Sequence, residues 1–398
     1  MSDRIIRTSD AKTLIKNNMR NYSMFIILAL ILIIFAFLTN GINITPRNIT
    51  NIFFQYSYVL ILATGMVQCI IILGIDLSVG SVCAFIGAIS AMIYNTGIGM
   101  PVALVASIAM GVAVGAFQGV WIAYAKLPAF IVTLAGMLLF RGLTYIVTKV
   151  NPISLHDVGY SKLSTETLDG ILGLKMIGPY FPMALIFAVL VIVIFFIAEL
   201  YSRRRKIAND FEVAPWPLFI GKLVLISLLI LVVADRFARY LGLPNVVLVL
   251  GITVFIFHFV MNNTVLGRFI YAVGGNSRSA KLSGINSEFI TFIVFIIMGG
   301  LTGLAAVVFT GYMNSALPQS GQQFEMDAIA ACYIGGVSAS GGIGTVIGVI
   351  VGGLVMSAIN NGMLIMNLGT HYQYVVKALI LLFAVFYDVY TRRKSGLG

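Results

Sequence analysis

Apolar runs of 17 to 24 residues recur along this chain from residue 23 to residue 391. Each is long enough to cross about 30 Å of hydrocarbon as a helix. Candidate spans fall at 23–39, 53–74, 78–95, 101–124, 128–148, 181–200, 217–234, 244–261, 289–312, 327–340, 343–360 and 374–391. That is twelve segments in one all-α, polytopic membrane protein. Transmembrane barrels are excluded, because their strands show alternating hydrophobicity over roughly ten residues and these runs are continuous. A soluble multidomain chain is excluded by composition: 60% of the residues are hydrophobic and 10% are charged, against about 25% charged in soluble domains.

The net charge of +11 does not indicate nucleic acid, because the basic residues sit in short clusters between apolar runs. Cytoplasmic loops of membrane proteins carry this excess. With the N-terminal arm 1–22 placed inside, 17 of the 25 basic residues face the cytoplasm, six face outside, and Arg141 and Lys377 fall within spans. Both termini are then cytoplasmic. The arm is too long and polar for a cleaved signal and no small-residue cleavage pattern follows it, so the first run reads as a retained span. Lys377, near the outer end of the last span, reads as a snorkelling residue.

Two stretches break the pattern. Residues 149–180 form a long external loop rich in glycine and proline, and 327–340 is too short for a straight span. It reads as a half-helix or re-entrant piece, tolerable at membrane depth only where protein or water satisfies its backbone. Gly111, Gly115 and Gly119 form a four-residue ladder, as do Gly344, Gly348 and Gly352, with a shorter one at Gly299 and Gly303. Such ladders let helices approach closely, as static packing faces or as sliding tracks.

No catalytic constellation or metal set is present. His156, His258 and His371 are isolated, no phosphate-binding G-x-x-x-x-G-K-[ST] loop occurs, and Cys69, Cys83 and Cys332 lie inside apolar runs as packing residues. The chain therefore hydrolyses no nucleotide itself. Asp76, in Ile75-Asp76-Leu77-Ser78-Val79-Gly80-Ser81, is costly at membrane depth without a partner. Asp76 or Ser78 would cap the helix that follows, and the alternative is ion coupling, for which no second intramembrane carboxylate stands out. Arg141 needs a carbonyl-rich helix end or a carboxylate. The loop 266–288 reads as a glycine turn, a short helix capped by Asn276 or Ser277, and a stop at Gly284. From spacing alone it is either a docking element or a surface connector.

Four stretches carry a resemblance: Ile75 to Ser81; Pro128-Ala129-Phe130-Ile131-Val132-Thr133-Leu134 with Arg141-Gly142; Tyr271 to Asn276 with Ala280 and Ser283-Gly284-Ile285; and Ile334-Gly335-Gly336-Val337-Ser338 with Gly341-Gly342 and Asn361-Gly362. In these the chain resembles the permease subunits of bacterial monosaccharide ATP-binding-cassette importers, the ribose, xylose and galactose family. Ala339 and Ser340 depart from the usual leucine and serine after Val337-Ser338. The extra pair of spans within 181–234 looks like the longer xylose or multiple-sugar branch. It is expected to lie outside the sugar path.

The resemblance implies a type II importer-like permease in the bacterial inner membrane. Its partners would be a second permease copy, a cytoplasmic ATPase with two cassettes and an extracytoplasmic sugar-binding protein, with membrane lipid around it, no nucleic acid and no cofactor. It also implies that Gly274, Gly275, Asn276, Ala280, Lys281 and Gly284 contact the ATPase. Asp76, Ser78, Gly80, Arg141, Gly341 and Gly342 would serve as a structural and gating signature. Because a sugar is neutral and hydroxyl-rich, modest polar groups should line its path, and Gln55, Gln68, Ser78, Asn314 and Asn360 are the candidates. An ion-coupled secondary transporter is the alternative; it would require paired intramembrane carboxylates or discontinuous ion-binding helices.

Overall fold

The computed structural model describes residues 11–209, 211 and 213–394. Arg4 and Arg7 of the N-terminal arm lie outside them. The helices, in order, are α1 (Ala11–Leu38), α2 (Pro46–Ile71), α3 (Val79–Ile93), α4 (Met100–Ala123), α5 (Ala129–Thr148), α6 (Leu168–Ile171), α7 (Pro182–Ala208), α8 (Trp216–Ala238), α9 (Asn245–Asn263), α10 (Val265–Gly275), α11 (Ser277–Leu282), α12 (Ser287–Met313), α13 (Phe324–Ile334), α14 (Val346–Ile365) and α15 (Thr370–Lys394). Among the described residues nine helices are long and apolar enough to cross a membrane, and α1 and α15 add shorter apolar stretches at Met24–Leu38 and Thr370–Phe386. Eleven of the twelve expected spans are thus continuous helices. The twelfth is α13, 11 residues long, which reaches roughly 17 Å, about half of the hydrocarbon thickness.

Two compact units emerge. One holds Thr167–Pro244 together with Ile44–Asn51, and the other holds Met24–Asn43, Ile52–Glu166 and the chain from Asn245 onward. In the first, α7 and α8 form an antiparallel hairpin. Arg203, grouped by sequence with the cytoplasmic cluster, is only 7% exposed. Its guanidinium donates to the Ala214 carbonyl at 2.6 Å and stacks over Trp216 and Phe219. It therefore closes the hairpin turn, using planarity and charge together.

At the other end of the hairpin, Asp169 is fully buried and accepts the Met183 amide at 3.0 Å and the Leu243 amide at 2.9 Å. It ties the start of α7 to the exit of α8. Sequence patterning gave it no role, since it sits in a glycine-rich stretch with no periodicity. Asp169→Ala strands two amides, that of Leu243 buried and that of Met183 half-buried, each hydrogen bond to a charged acceptor being worth about 1.5–3 kcal/mol. A loss of about 3 kcal/mol or more is expected, and limited proteolysis across 170–181 should detect it as faster cleavage than in the native chain.

In the second unit, α2 is the central helix: Leu60, Ile61, Leu62, Ala63, Met66, Val67 and Ile70 are at most 1% exposed. A helix buried on all faces needs small partners where backbones cross. Gly111 and Gly115 of α4 meet Gly299, Gly303 and Phe295 of α12 at backbone distance, so a Cβ on any of these glycines would run into the opposing chain. Gly348 and Gly352 of α14 meet Gly335 and Ala331 around the end of α13 in the same manner. Both ladders are packing faces in this structure. The three cysteines are free and buried.

The loop after α5 folds back as a short strand, β1 (Ile153–Ser154), paired antiparallel with β2 (Ser315–Ala316) after α12. Tyr94 and the Gly159 amide donate to Asp157 in this loop, and these hydrogen bonds hold its carboxyl below the usual carboxylate range. The tie is accordingly complete at neutral pH and is lost as pH falls through that lowered value.

Candidate functional site

Two interrupted helices meet inside the second unit. The chain leaves α2 at Ile71, passes through Leu73 in a left-handed conformation (φ 63°), and restarts as α3 at Val79. From the far side, the segment after β2 runs to Gly321 (φ 76°) and Gln323 (φ 65°) and restarts as α13. The two restarts touch through Gly80 and Gly321, where a Cβ on either would overlap the other's carbonyl. Two helix N-termini therefore face one neighbourhood, and their orphan amides and dipoles favour negative charge there. Asp76, just ahead of α3, and Glu325, in the first turn of α13, place carboxyl groups there.

Asp76 is 4% exposed. Its Oδ1 accepts the Ser78 amide at 2.8 Å and the Ser78 hydroxyl at 2.7 Å. Neither residue makes a side-chain cap to the first turn of α3, which corrects the capping expectation: Asp76 closes a turn onto Ser78 instead. Gln118 of α4 donates to the Ser78 hydroxyl at 2.8 Å, and Thr133 of α5 donates to the Ile75 carbonyl. A void of only about 10 Å³ lies beside Asp76, Ser78, Gln118 and Thr302, which holds at most one water. This is a brace, with no room for a sugar.

Arg141 donates to the Ser320 carbonyl at 2.5 Å, so the carbonyl option is the one realised, and Glu325 lies within its electrostatic reach. The signature residues Asp76, Ser78, Gly80 and Arg141 are thus brought together as one lock on the two restarts.

Gly341 and Gly342 lie elsewhere, at the opposite end of α13. Both are left-handed, at φ 77° and 70°. The Gly342 amide donates to the Ile71 carbonyl at 2.9 Å, and Gly274 is buried directly against both groups. Tyr271 donates to the Gly344 carbonyl at 2.7 Å. The C-terminus of α2, the loop after α13 and the end of α10 therefore abut backbone to backbone.

Beyond this junction lies the segment marked by sequence for docking. Residues 267–275 are the continuous helix α10 rather than a glycine turn, because Thr264 caps it by accepting the Gly267 amide. Asn276 caps α11 by accepting the Ser279 amide at 2.9 Å, and Gly284 ends it at φ 84°. Gly275, Asn276, Lys281 and Gly284 are exposed, whereas Gly274 and Ala280 are buried within the chain itself. Lys281 pairs with Glu288 at 2.6 Å. The outstanding side chain is Leu282, 85% exposed at the end of a six-residue helix.

The sequence candidates for a sugar path do not form one cluster. Gln68 is fully buried along α2 and donates to the Thr64 carbonyl, Gln55 is hydrogen-bonded to Tyr312, Asn314 is an exposed left-handed cap of α12, and Asn360 is buried on α14. Lys377 does not snorkel. Its ammonium lies 2.8 Å from Asp327 Oδ1 and 3.0 Å from Oδ2, joining α15 to α13. The reading that Asp76 lacks carboxylate companions is corrected likewise: Glu325 and Asp327 stand in the first turn of α13. The sequence signal was Lys377, since a lysine inside a span calls for a partner. Among the described residues no group of histidine, cysteine and carboxylate side chains could hold a metal ion.

Comparison with known proteins covers nearly the whole chain. Residues 48–385 match the family described as branched-chain amino acid transport system / permease component. The xylose transport system permease protein XylH of Haemophilus influenzae is 37% identical over 385 residues, covering 95% of this chain and 98% of that protein. The protein of the same name in Escherichia coli is 35% identical over 95% of this chain and 94% of its own length. The ribose import permease protein RbsC of Escherichia coli is 33% identical over 93% of this chain and 94% of its own length. No solved structure matches.

Proposed function

Because this chain belongs to the xylose branch of the sugar permeases within that family, we propose that it is the membrane subunit of an ATP-driven monosaccharide importer, with a pentose of the xylose type as its cargo. The observation that carries the reading is end-to-end similarity, at 33–37% identity, to proteins named for xylose and ribose transport. The family description names branched-chain amino acids, but that match alone does not choose a cargo, and the relatives that share nearly the full length are named for sugars.

In this reading a sugar-binding protein delivers cargo at the outer face, a two-cassette ATPase closes on ATP, and alternating access follows. The segment Gly275 to Gly284 is the docking element for the ATPase. Its displacement passes through the backbone contacts of Gly274 with Ile71 and Gly342 to the ends of α2 and α13. Rigid contacts of this kind transmit small shifts because packed backbones deform little. A homodimer of permeases supplies two such elements, one for each cassette. Gln55, Gln68, Asn314 and Asn360 stay in the proposal as polar groups met by the sugar. The pair α7 and α8 serves as an accessory element of the longer branch.

The carboxylates Asp76, Glu325 and Asp327 at interrupted helices also favour a second reading, a secondary transporter coupled to protons or sodium. One experiment separates the two. Proteoliposomes holding this chain with its ATPase and binding protein should accumulate radiolabelled xylose only with ATP inside the face that bears the cassettes, and the protonophore-imposed loss of gradient should leave uptake unchanged. Uptake driven by a proton or sodium gradient without ATP would overturn the reading.

Orientation is testable on its own. With the basic clusters cytoplasmic, a cysteine replacing Arg204 should stay unlabelled by an impermeant thiol reagent in intact cells. One replacing the exposed Lys175 should react. The reverse pattern would invert the threading.

A further inference from the structure

A cavity of about 880 Å³ lies along α13, α14 and α15, with Asp327 and Lys377 both on its wall beside Gln323 and Tyr374. Its remaining surface is mostly apolar, from residues such as Met326 and Phe383. Ionisable groups inside spans face a bundle interior or a water-filled passage, because hydrocarbon solvates them poorly. The pair is also more than an isolated bridge. Asn360, 4% exposed, is hydrogen-bonded to the Asp327 carboxylate, and its own amide oxygen has no hydrogen-bond partner. Asn360 lies behind the wall rather than on it, so it positions the Asp327 carboxylate while the ion pair itself faces the cavity.

We infer that Asp327 and Lys377, backed from behind the wall by Asn360, form a hydroxyl-recognition station on the sugar's route through this cavity. The chemistry fits a polyhydroxylated, neutral cargo. A carboxylate accepts from hydroxyls, an ammonium donates to them, and no net charge is left over because Asp327 and Lys377 cancel. The apolar remainder, with Met326, Tyr374 and Phe383, presents surface to the C–H faces of a pyranose ring. Such a station orients the ring without holding it tightly, since each hydroxyl contact replaces one that the ion pair already makes. The inference rests on the sugar reading above and adds residues to it: of the three, only Asn360 was marked by sequence.

The test uses the complete importer, with binding protein and ATPase, in proteoliposomes. Ala378, exposed on the cavity wall, is replaced by cysteine; the native cysteines are buried and give little background. A small water-soluble thiol reagent should label it, and saturating xylose delivered by the binding protein should slow that labelling at least threefold. A groove filled by lipid acyl chains would leave Ala378→Cys unreactive to the water-soluble reagent, which would overturn the station. In parallel, the double variant Asp327→Asn with Lys377→Met removes both charges while keeping volume and neutrality. Xylose uptake should fall at least tenfold with ATPase copurification at the native level, and Asp327→Glu should restore part of it. Uptake by the double variant at the native rate would also overturn the station. If the unaltered importer moves no monosaccharide at all, the sugar reading itself fails; if it moves xylose while Ala378→Cys shows neither labelling nor protection, the station alone fails.

Discussion

Leu282→Glu should reduce ATP-driven uptake to background and remove the ATPase from the copurified complex, while the permease itself remains at its native level in the membrane. Leu282 is 85% exposed and packs on nothing in its own chain to any extent, so its replacement costs the folded permease little. An exposed leucine at the tip of a capped helix is normally a poor use of a side chain, and becomes a favourable one when a partner buries it. Full burial of a leucine is worth about 1.5–3 kcal/mol. A charge forced into the same pocket adds desolvation to that loss, and together these weaken association by a factor on the order of 100 or more. Gly275→Leu tests the same face by added bulk, since nothing of the chain lies within 4 Å of a Cβ placed there. Ala280→Leu should act differently. Ala280 is 5% exposed within the permease, and overpacking costs about 1–3 kcal/mol of internal stability, so the protein amount should fall before coupling does. If Leu282→Glu permease retains its ATPase and its uptake, the segment is not the docking element.

The contrast between Leu282 and Ala280 also shows how far the sequence could be read. The position of each apolar segment follows from transfer free energy summed over some twenty residues, a sum that single errors do not upset, and eleven of the twelve expected segments are helices, nine of them long and apolar enough to cross a membrane among the described residues. The capped helix at 277–282 is equally local, fixed by Asn276 and Gly284. Which face of that helix is buried depends on the neighbouring α12 and could not be read from six residues. Pairings across the chain were hidden for the same reason. Asp327 and Lys377 are separated by 50 positions, and Arg141 reaches a backbone carbonyl at Ser320, a group that carries no residue-type signature. Asp169 was masked by its setting, a glycine-rich loop whose helix-anchoring role depends on amides at 183 and 243. The resemblance marked Gly80, Gly341 and Gly342 as important without giving a reason; close backbone approach is the reason in each case.

Gly321→Val should cost the permease most of its folded population, and a second glycine provides the control that says why. Gly321 has φ 76° and a backbone neighbour at Gly80 that occupies the space of any Cβ; Gly178 has φ 61° and nothing within 4 Å. A side chain in the left-handed region costs about 1–2 kcal/mol wherever it occurs, and both substitutions incur that. Only Gly321→Val must also separate the restart of α13 from the restart of α3, an overlap with backbone that rotamer changes cannot relieve. Overpacking adds about 1–3 kcal/mol and occasionally more. The displacement would further lengthen the Arg141 hydrogen bond to Ser320 next to it, worth about 1.5–3 kcal/mol as a charged interaction. The sum, about 3.5–8 kcal/mol by these terms, is of the order of the whole stability of an ordinary domain. Gly178→Val should therefore give near-native amounts of protein in detergent with a modest drop in thermal midpoint, and Gly321→Val should give aggregated or degraded chain. Comparable behaviour of the two variants would mean that conformational strain alone governs both sites, and that the contact of Gly80 with Gly321 does not hold the two interrupted helices together.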